Sequence, residues 1–491
     1  MARDARSSVS LDVNVGRTPD VPQPLDEETP FRIAILGDFR GVGGGGPAAA
    51  VPLERRRSVP VDRDNLDQVV AAWRPAVRLS LPDGTPSMLE FAAVDDFHAD
   101  RLYQRLPVFA RLRELRQELA DGGAVARPAS PPVSAPSPDV LANPASLLDQ
   151  IVGEAPAEGE DLHAFIQRIV APHVVRDIAP ERAALIGQVD ALSAMLLRFV
   201  LHHPEFQALE SLWRSVFLMV RRVESSVTLQ VHLLDVSGAE LEADLAGARS
   251  PVDTGLYRLL SGSSGGPGEG APWGLLVGAY TFGARADDIP LLGRIAAVAH
   301  AVGAPWVSAA HPRLVGCPDV SQLTSPGEWH RGAAADWPTL RSAADARWLG
   351  LVLPRFLVRL PYGAGAEVCE TLAFEELTDP VNHEELLWGN AAVVCALLLA
   401  QSFEAAGWGL MPGMHRDLDG LPLHVRRRHG EATTTPCAEV LLTEASIELL
   451  LEAGVMPLAC PRDGDSVRLV RFQSIAAPLA PLAGHWGGGV P

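Results

Sequence analysis

The sequence contains no lysine: all 41 residues of its Lys+Arg total are arginine. A GC-rich genome explains this, and the functional alternative is arginine chosen for bidentate interface pairs. Cysteine is scarce. Cys317, Cys369, Cys395, Cys437 and Cys460 stand alone, with no Cys-x-x-Cys pair. That spacing suits reduced, mostly buried thiols and excludes a disulfide frame and a cysteine-based zinc site. Positive charge is in deficit, 41 against 60 acidic residues, for a net charge of -19. Nucleic acid and anionic membranes are therefore disfavoured as main partners. No uninterrupted apolar run is long enough to span a bilayer, Ala391 to Ala400 being the longest. Met1-Ala-Arg-Asp-Ala-Arg-Ser7 has no apolar signal region, so a cytoplasmic location is expected, without membrane insertion.

What is present is a hydrophobic fraction of 47% over 491 residues, enough for two to four domains with large cores. Val9, Leu11, Val13 and Val15 alternate with polar residues and predict a strand set apart by Gly16 to Glu28. Such a strand needs a sheet edge, in its own chain or a neighbour's. Further strands are expected at Phe31–Phe39, Ala76–Leu81, Val227–Leu233, Trp273–Tyr280, Pro305–Ala310 and Val467–Phe472. Helices are expected at Leu66–Trp73, over Leu102 to Leu119 with a bend or restart at Pro107, around Leu147–Val152, Leu162–Val170 and Leu185–Phe199, from His203 to Val220, and at Ile289–Val302 and Trp388–Phe403. The order strand, helix, strand from Trp273 to Ala310 predicts a parallel crossover, and the whole an α/β (mixed α+β) protein with central sheets flanked by helices. Asp121 to Ser146, rich in Pro, Ala and Ser, reads as a linker. The expected units are an arm at 1–26, a domain at 27–120, the linker at 121–146, a helical region at 147–200 and an α/β core at 201–491.

Patterns that suggest chemistry lack the context chemistry needs. Gly41-Val-Gly-Gly-Gly-Gly46 fits G-x-G-x-x-G, but Pro47, Pro52 and Glu54-Arg-Arg-Arg57 follow instead of an apolar helix. Gly262-Ser-Ser264-Gly-Gly266 sits in a Ser/Gly loop without the strand of a nucleophile elbow. His383-Glu-Glu lacks the second histidine of a zinc helix, and His202-His203 face different sides of a helix. Asp95-Asp96 reads as a cap before a helix, and His300, among alanines and valines, as a core or interface residue. Arg426-Arg427-Arg428 is either a solvated face or a dock for an acidic partner such as a tube protein. No catalytic, cofactor-binding or metal-binding residue is expected. The rival reading is a nucleotide-binding α/β enzyme using the Gly41–Gly46 loop.

Several strings, in order along the chain, carry a resemblance. Phe31-Arg-Ile-Ala-Ile-Leu-Gly-Asp-Phe-Arg-Gly41, Val61-Asp-Arg-Asp-Asn-Leu66 and Leu89 to Phe97 are similar to the small subunit of the type VI secretion contractile sheath. Ser146 to Ile151, His203-Pro-Glu-Phe-Gln-Ala-Leu-Glu-Ser-Leu-Trp-Arg214, Leu353-Pro-Arg355, Arg359-Leu-Pro-Tyr-Gly363, Trp388-Gly-Asn390, Gly407-Trp408, Leu421 to His424, Glu439-Val440 and Phe472-Gln-Ser474 resemble the large subunit. The resemblance implies a polymer of this chain around an inner tube protein, nucleated on a baseplate, contracting to drive the tube outward and recycled by an AAA+ unfoldase. It implies strand exchange between protomers, with Val9, Leu11, Val13, Val15, Val467 and Leu469 as candidates. It also implies an unfoldase-binding helix at Leu147, Leu148 and Ile151. Two subunits fused through a linker are a departure from the family pattern. The stretches Ala246–Ala271 and Val315–Asp336 look reduced, which leaves recycling in doubt and keeps a phage-like or extracellular single-firing sheath as the nearer alternative.

Overall fold

The computed structural model describes residues 25–41, 51–82, 84, 86–121, 179–262, 271–283, 285–329, 336–428 and 431–486. The expected strand at Val9–Val15, the expected helices at Leu147–Val152 and Leu162–Val170, the linker and most of the Gly41–Gly46 loop lie outside these residues.

The first part of the chain supplies β1 (Phe31–Gly37), β2 (Val59–Val61), α1 (Leu66–Trp73), the hairpin β3 (Ala76–Ser80) and β4 (Pro86–Glu90), α2 (Ala99–Arg105) and α3 (Pro107–Ala120). The second part begins with α4 (Ala179–Leu201) and α5 (Pro204–Arg222). It continues through β5 (Leu229–Asp235), α6 (Gly238–Ala246), α7 (Gly255–Leu260), β6 (Leu275–Phe282), α8 (Asp288–Val302), β7 (Trp306–Ala310), α9 (Trp337–Arg341) and β8 (Leu349–Leu353). It ends with β9 (Phe356–Leu357), β10 (Trp388–Gly389), α10 (Ala392–Ala406), β11 (Asp417–Leu418), the hairpin β12 (His424–Arg428) and β13 (Glu431–Thr435), α11 (Glu444–Glu452), β14 (Met456–Ala459) and β15 (Val467–Leu469).

Nine of these strands form one sheet in the order β11-β15-β14-β8-β7-β6-β1-β5-β2. β1 is buried along its whole length. A run as apolar as Phe31-Arg-Ile-Ala-Ile-Leu-Gly37, broken only by Arg32, suits a strand covered on both faces. It lies between β5 and β6, parallel to both, with Phe31 opposite Leu229 and Ile33 opposite Leu275. The strand that opens the 27–120 segment is thus a central strand of the sheet built by 201–491, and the two segments share one core. Beyond β6 the strands β7, β8 and β14 continue in parallel, and the β6–α8–β7 crossover has the expected form. Antiparallel β15 and β11 close one side and antiparallel β2 the other.

Helices cover both faces. One face carries α1 to α5, α10 and the β3–β4 hairpin; the other carries α6 to α9 and α11. Leu106 is extended (φ -70, ψ 131) between α2 and α3, so the helix restarts at Pro107, whose missing N–H costs nothing at a first helical position. Pro204 opens α5 in the same way. The helix expected from Trp388 starts at Ala392 instead. Gly389 packs so closely on Phe356 and Val358 that a Cβ would collide with them, and Trp388-Gly389 bridges to Phe356-Leu357 as a short antiparallel pair. Asp96 caps as expected, accepting the Ala92 N–H at 2.7 Å. His300 is exposed, not in the core; it stacks on Trp348 at 5.3 Å and meets Asp345 at 2.6 Å. Val298 and Ala299 fall on the buried side of α8, whereas His300 and Ala301 do not. By length and composition Arg182–Leu201 and Ala392–Gly409 could each cross a membrane, although the apolar run within the second is short. In the fold, 67% of the second is buried and α10 packs as a central core helix.

Candidate assembly site

Two charged clusters tie the segments of this body together. The first forms where the Arg359-Leu-Pro-Tyr-Gly363 segment meets α5. In α5 the residues Phe206, Leu209, Trp213, Val216 and Val220 form the buried face, and Glu210 is buried among them. Arg359 answers it. Its Nε donates to Glu210 Oε1 at 2.8 Å, while Nη1 and Nη2 donate to the two oxygens of Glu376 at 2.7 and 2.8 Å. Arg214 Nε donates to Glu210 at 2.6 Å and Arg214 Nη2 to the Tyr362 hydroxyl at 3.1 Å. Glu376 also accepts the Tyr362 N–H at 2.7 Å. The side chains of Arg359, Glu210 and Glu376 are at most 4% exposed. Burial penalises the charged form of Arg359, but Glu210 and Glu376 outweigh it, and its pKa lies well above the usual value. Two guanidiniums against two carboxylates make a balanced set, which lets four ionised groups leave water together.

The second cluster lies in a cleft at the C-terminal ends of β6, β7 and β8, bordered by Thr281, Ala310, Leu353, Arg355 and Glu439. Glu439 accepts the Arg355 backbone N–H at 3.1 Å and Arg355 Nε at 2.9 Å, with His383 Nε2 at 2.9 Å. Burial pushes the Glu439 carboxyl up, but the His383 and Arg355 hydrogen bonds prevail and lower its pKa to about 2. Glu439 and Glu384 here are engaged by Arg355, and Asp319 accepts from the Ser321 N–H at 2.9 Å and the Ser321 hydroxyl at 2.7 Å. Among the described residues no group of three or more His, Cys, Asp and Glu side chains is placed to hold a metal.

The sheet edges are the surfaces on which a strand could add. β2 is three residues long and its middle residue, Pro60, has no N–H to offer, which blunts that edge. β11 has two residues, with Asp417 paired to Arg468 at 2.6 Å and exposed Met411 and Met414 nearby.

The residues singled out from sequence are dispersed. Val467 and Leu469 are fully buried in β15, which has β14 on one side and β11 on the other, both from its own chain. Arg426 pairs with Asp379 at 3.5 Å; Arg427 and Arg428 continue β12, opposite Ala432 and Glu431. Val9, Leu11, Val13, Val15, Leu147, Leu148 and Ile151 lie outside the described residues. The buried roles of Glu210, Arg359, Glu376 and Glu439 were not foreseen. Glu210 left a trace, since it falls three or four residues from Phe206 and Trp213, on the apolar stripe of α5.

The chain is similar to known proteins over much of its length. The profile of the EvpB-type VipB tail sheath N-terminal domain matches residues 183–476. The VipA profile of the type VI secretion system matches residues 2–124. The type VI secretion system sheath protein TssC1 of Pseudomonas aeruginosa is 32% identical over 311 residues, which is 60% of this chain and 61% of that protein. The chain thus spans less than two thirds of this relative's length.

Proposed function

Because the chain belongs to the type VI secretion sheath family and joins a VipA-type to a VipB-type sequence in one polypeptide, we propose that it is the structural protomer of a contractile injection sheath. It polymerises around an inner tube protein from a baseplate, in the cytoplasm, and contracts to propel the tube. The observation that carries this reading is the shared sheet: with β1 between β5 and β6, both sheath-type segments build one core. A protomer of that kind needs no bond chemistry. Its work is the free-energy difference between two ways of packing against its neighbours. The fusion fixes the ratio of the two parts at one to one and keeps their association intramolecular.

Contacts between protomers follow from strand addition. Val9, Leu11, Val13 and Val15 of one copy pair with a sheet edge of another, and the β15 side of the sheet, with its two-residue outer strand, takes part. The helix with Leu147, Leu148 and Ile151 serves an AAA+ unfoldase, and Arg426 to Arg428 face the tube or another acidic partner.

Negative-stain electron microscopy of the full chain, alone and with its tube protein, tests the reading. Hollow ribbed cylinders are expected; dispersed particles in both samples would refute it. Deleting residues 1–17 should leave folded protomers that form no tubes. Leu148→Asp with Ile151→Asp should leave assembly intact and stop unfoldase-driven disassembly of contracted tubes.

A further inference from the structure

The two ends of β1 carry opposite charges, and at each end some of them are left without an ion pair among the described residues. Asp26, Glu27 and Glu28 precede its N-terminal end; all three are exposed, and their carboxylates have no partner among the described residues. At the C-terminal end, one seven-residue strand or roughly 20 Å away, a pocket is bordered by Arg40, Arg56, Arg57, Trp73 and Asp235. Arg56 is held there by the Asp235 carbonyl at 2.5 Å and by Glu240, and Arg40 reaches Asp235 at 3.1 Å. Arg55 and Arg57, to either side of Arg56, are exposed and make no ion pair among the described residues. Beside them Pro60 blunts the β2 edge, so a partner is met by side chains rather than by an added strand.

We infer that the acidic end of β1 in one copy docks on the arginine end of β1 in the next, through Asp26, Glu27 and Glu28 against Arg55 and Arg57. The occupant is a second copy of this chain, because the matching charges lie at opposite ends of the same strand. Such a contact is heterologous and head to tail, the kind that grows into an open helical filament instead of closing as a dimer. The inference rests on the polymer reading and adds a specific ionic contact to it.

Two charge-reversed full-length proteins test it: Arg55→Glu with Arg57→Glu, and Glu27→Arg with Glu28→Arg. Each alone sets like charge against like charge, whereas an equimolar mixture restores both complementary contacts. Sedimentation velocity at low salt should show the mixture associating at least about tenfold more tightly than either variant alone. The gain should fade as salt is raised well above 0.1 M, where screening shortens the reach of exposed charges to below about 10 Å. Circular dichroism verifies that both variants are folded. Association of either variant equal to that of the unmodified chain would overturn the contact, and so would a mixture no tighter than its components. Tubes from the unmodified chain alongside either result would leave the sheath reading standing. A mixture that associates while no condition yields tubes would uphold the contact and sink the sheath reading.

Discussion

The Arg359 and Arg355 clusters use the same groups and differ in their access to water. Arg359, Glu210 and Glu376 are sealed between α5 and the following core, and none can find solvent if a partner is lost. Arg355 and His383, which hold Glu439, are each 36% exposed, although Glu439 itself is only 3% exposed. The comparison teaches that an ion pair's worth is set by what happens to the survivor. A stranded buried charge keeps its full desolvation penalty, while one at a rim is rehydrated. The first cluster therefore acts as a lock between segments distant in sequence, and the second as a brace across a cleft.

Breaking the lock gives the largest expected effect. Glu376→Gln leaves Arg359 with one carboxylate and should cost about 3–5 kcal/mol, read as a lower denaturation midpoint at unchanged slope. Replacing Arg359, Arg214, Glu210 and Glu376 together with apolar residues of similar volume should restore much of that loss. If the single change proved as mild as a surface substitution, the comparison would fail. Glu439→Gln should cost less, about 1–3 kcal/mol, since water takes up Arg355 and His383.

Acid sharpens the contrast. The Glu439 pKa is lowered in the folded state, so its contribution is present above the unfolded value near 4.5 and is lost as pH falls toward 2. Glu439→Gln should flatten that limb of the stability curve. Asp235 behaves in the opposite sense. Burial, with Asp38 nearby, raises its pKa to about 6 against the opposing pull of Arg40. Its contribution is full below the unfolded value near 3.8 and falls away as pH rises through 6. Asp235→Asn should remove that dependence between pH 4 and 6, seen by thermal melts across that range. The smallest effect belongs to Arg468→Ala at the β11 edge. Its pair with Asp417 is 64% and 46% exposed and should be worth no more than about 1 kcal/mol.

Much of the body was legible from residues. The run Phe31 to Phe39 announced a strand, the stripe Phe206-Leu209-Trp213 an amphipathic helix, Pro107 a bend or restart and Pro204 a helix start, because apolar periodicity and proline geometry act over a few residues. The ordered motifs pointed to the sheath family, to which the chain belongs. The β12–β13 hairpin was missed, since His-Val-Arg-Arg-Arg lacks the alternation that marks a half-buried strand. Of the two readings of His300, core or interface, its exposure removes the first, because composition does not say on which side of a helix a residue falls.

The sequence by itself determined most of the long apolar elements and pointed to the family, since each such pattern depends on neighbours within a turn or a strand. Only the tertiary structure decided that β1 sits between β5 and β6, that Glu210 and Glu376 meet on Arg359, and that acidic and arginine-rich surfaces mark opposite ends of one strand. Those facts join residues from 17 positions apart, as Arg359 and Glu376, to as far apart as Ile33 and Leu275, and burial and charge balance across such distances exist only once the chain has folded.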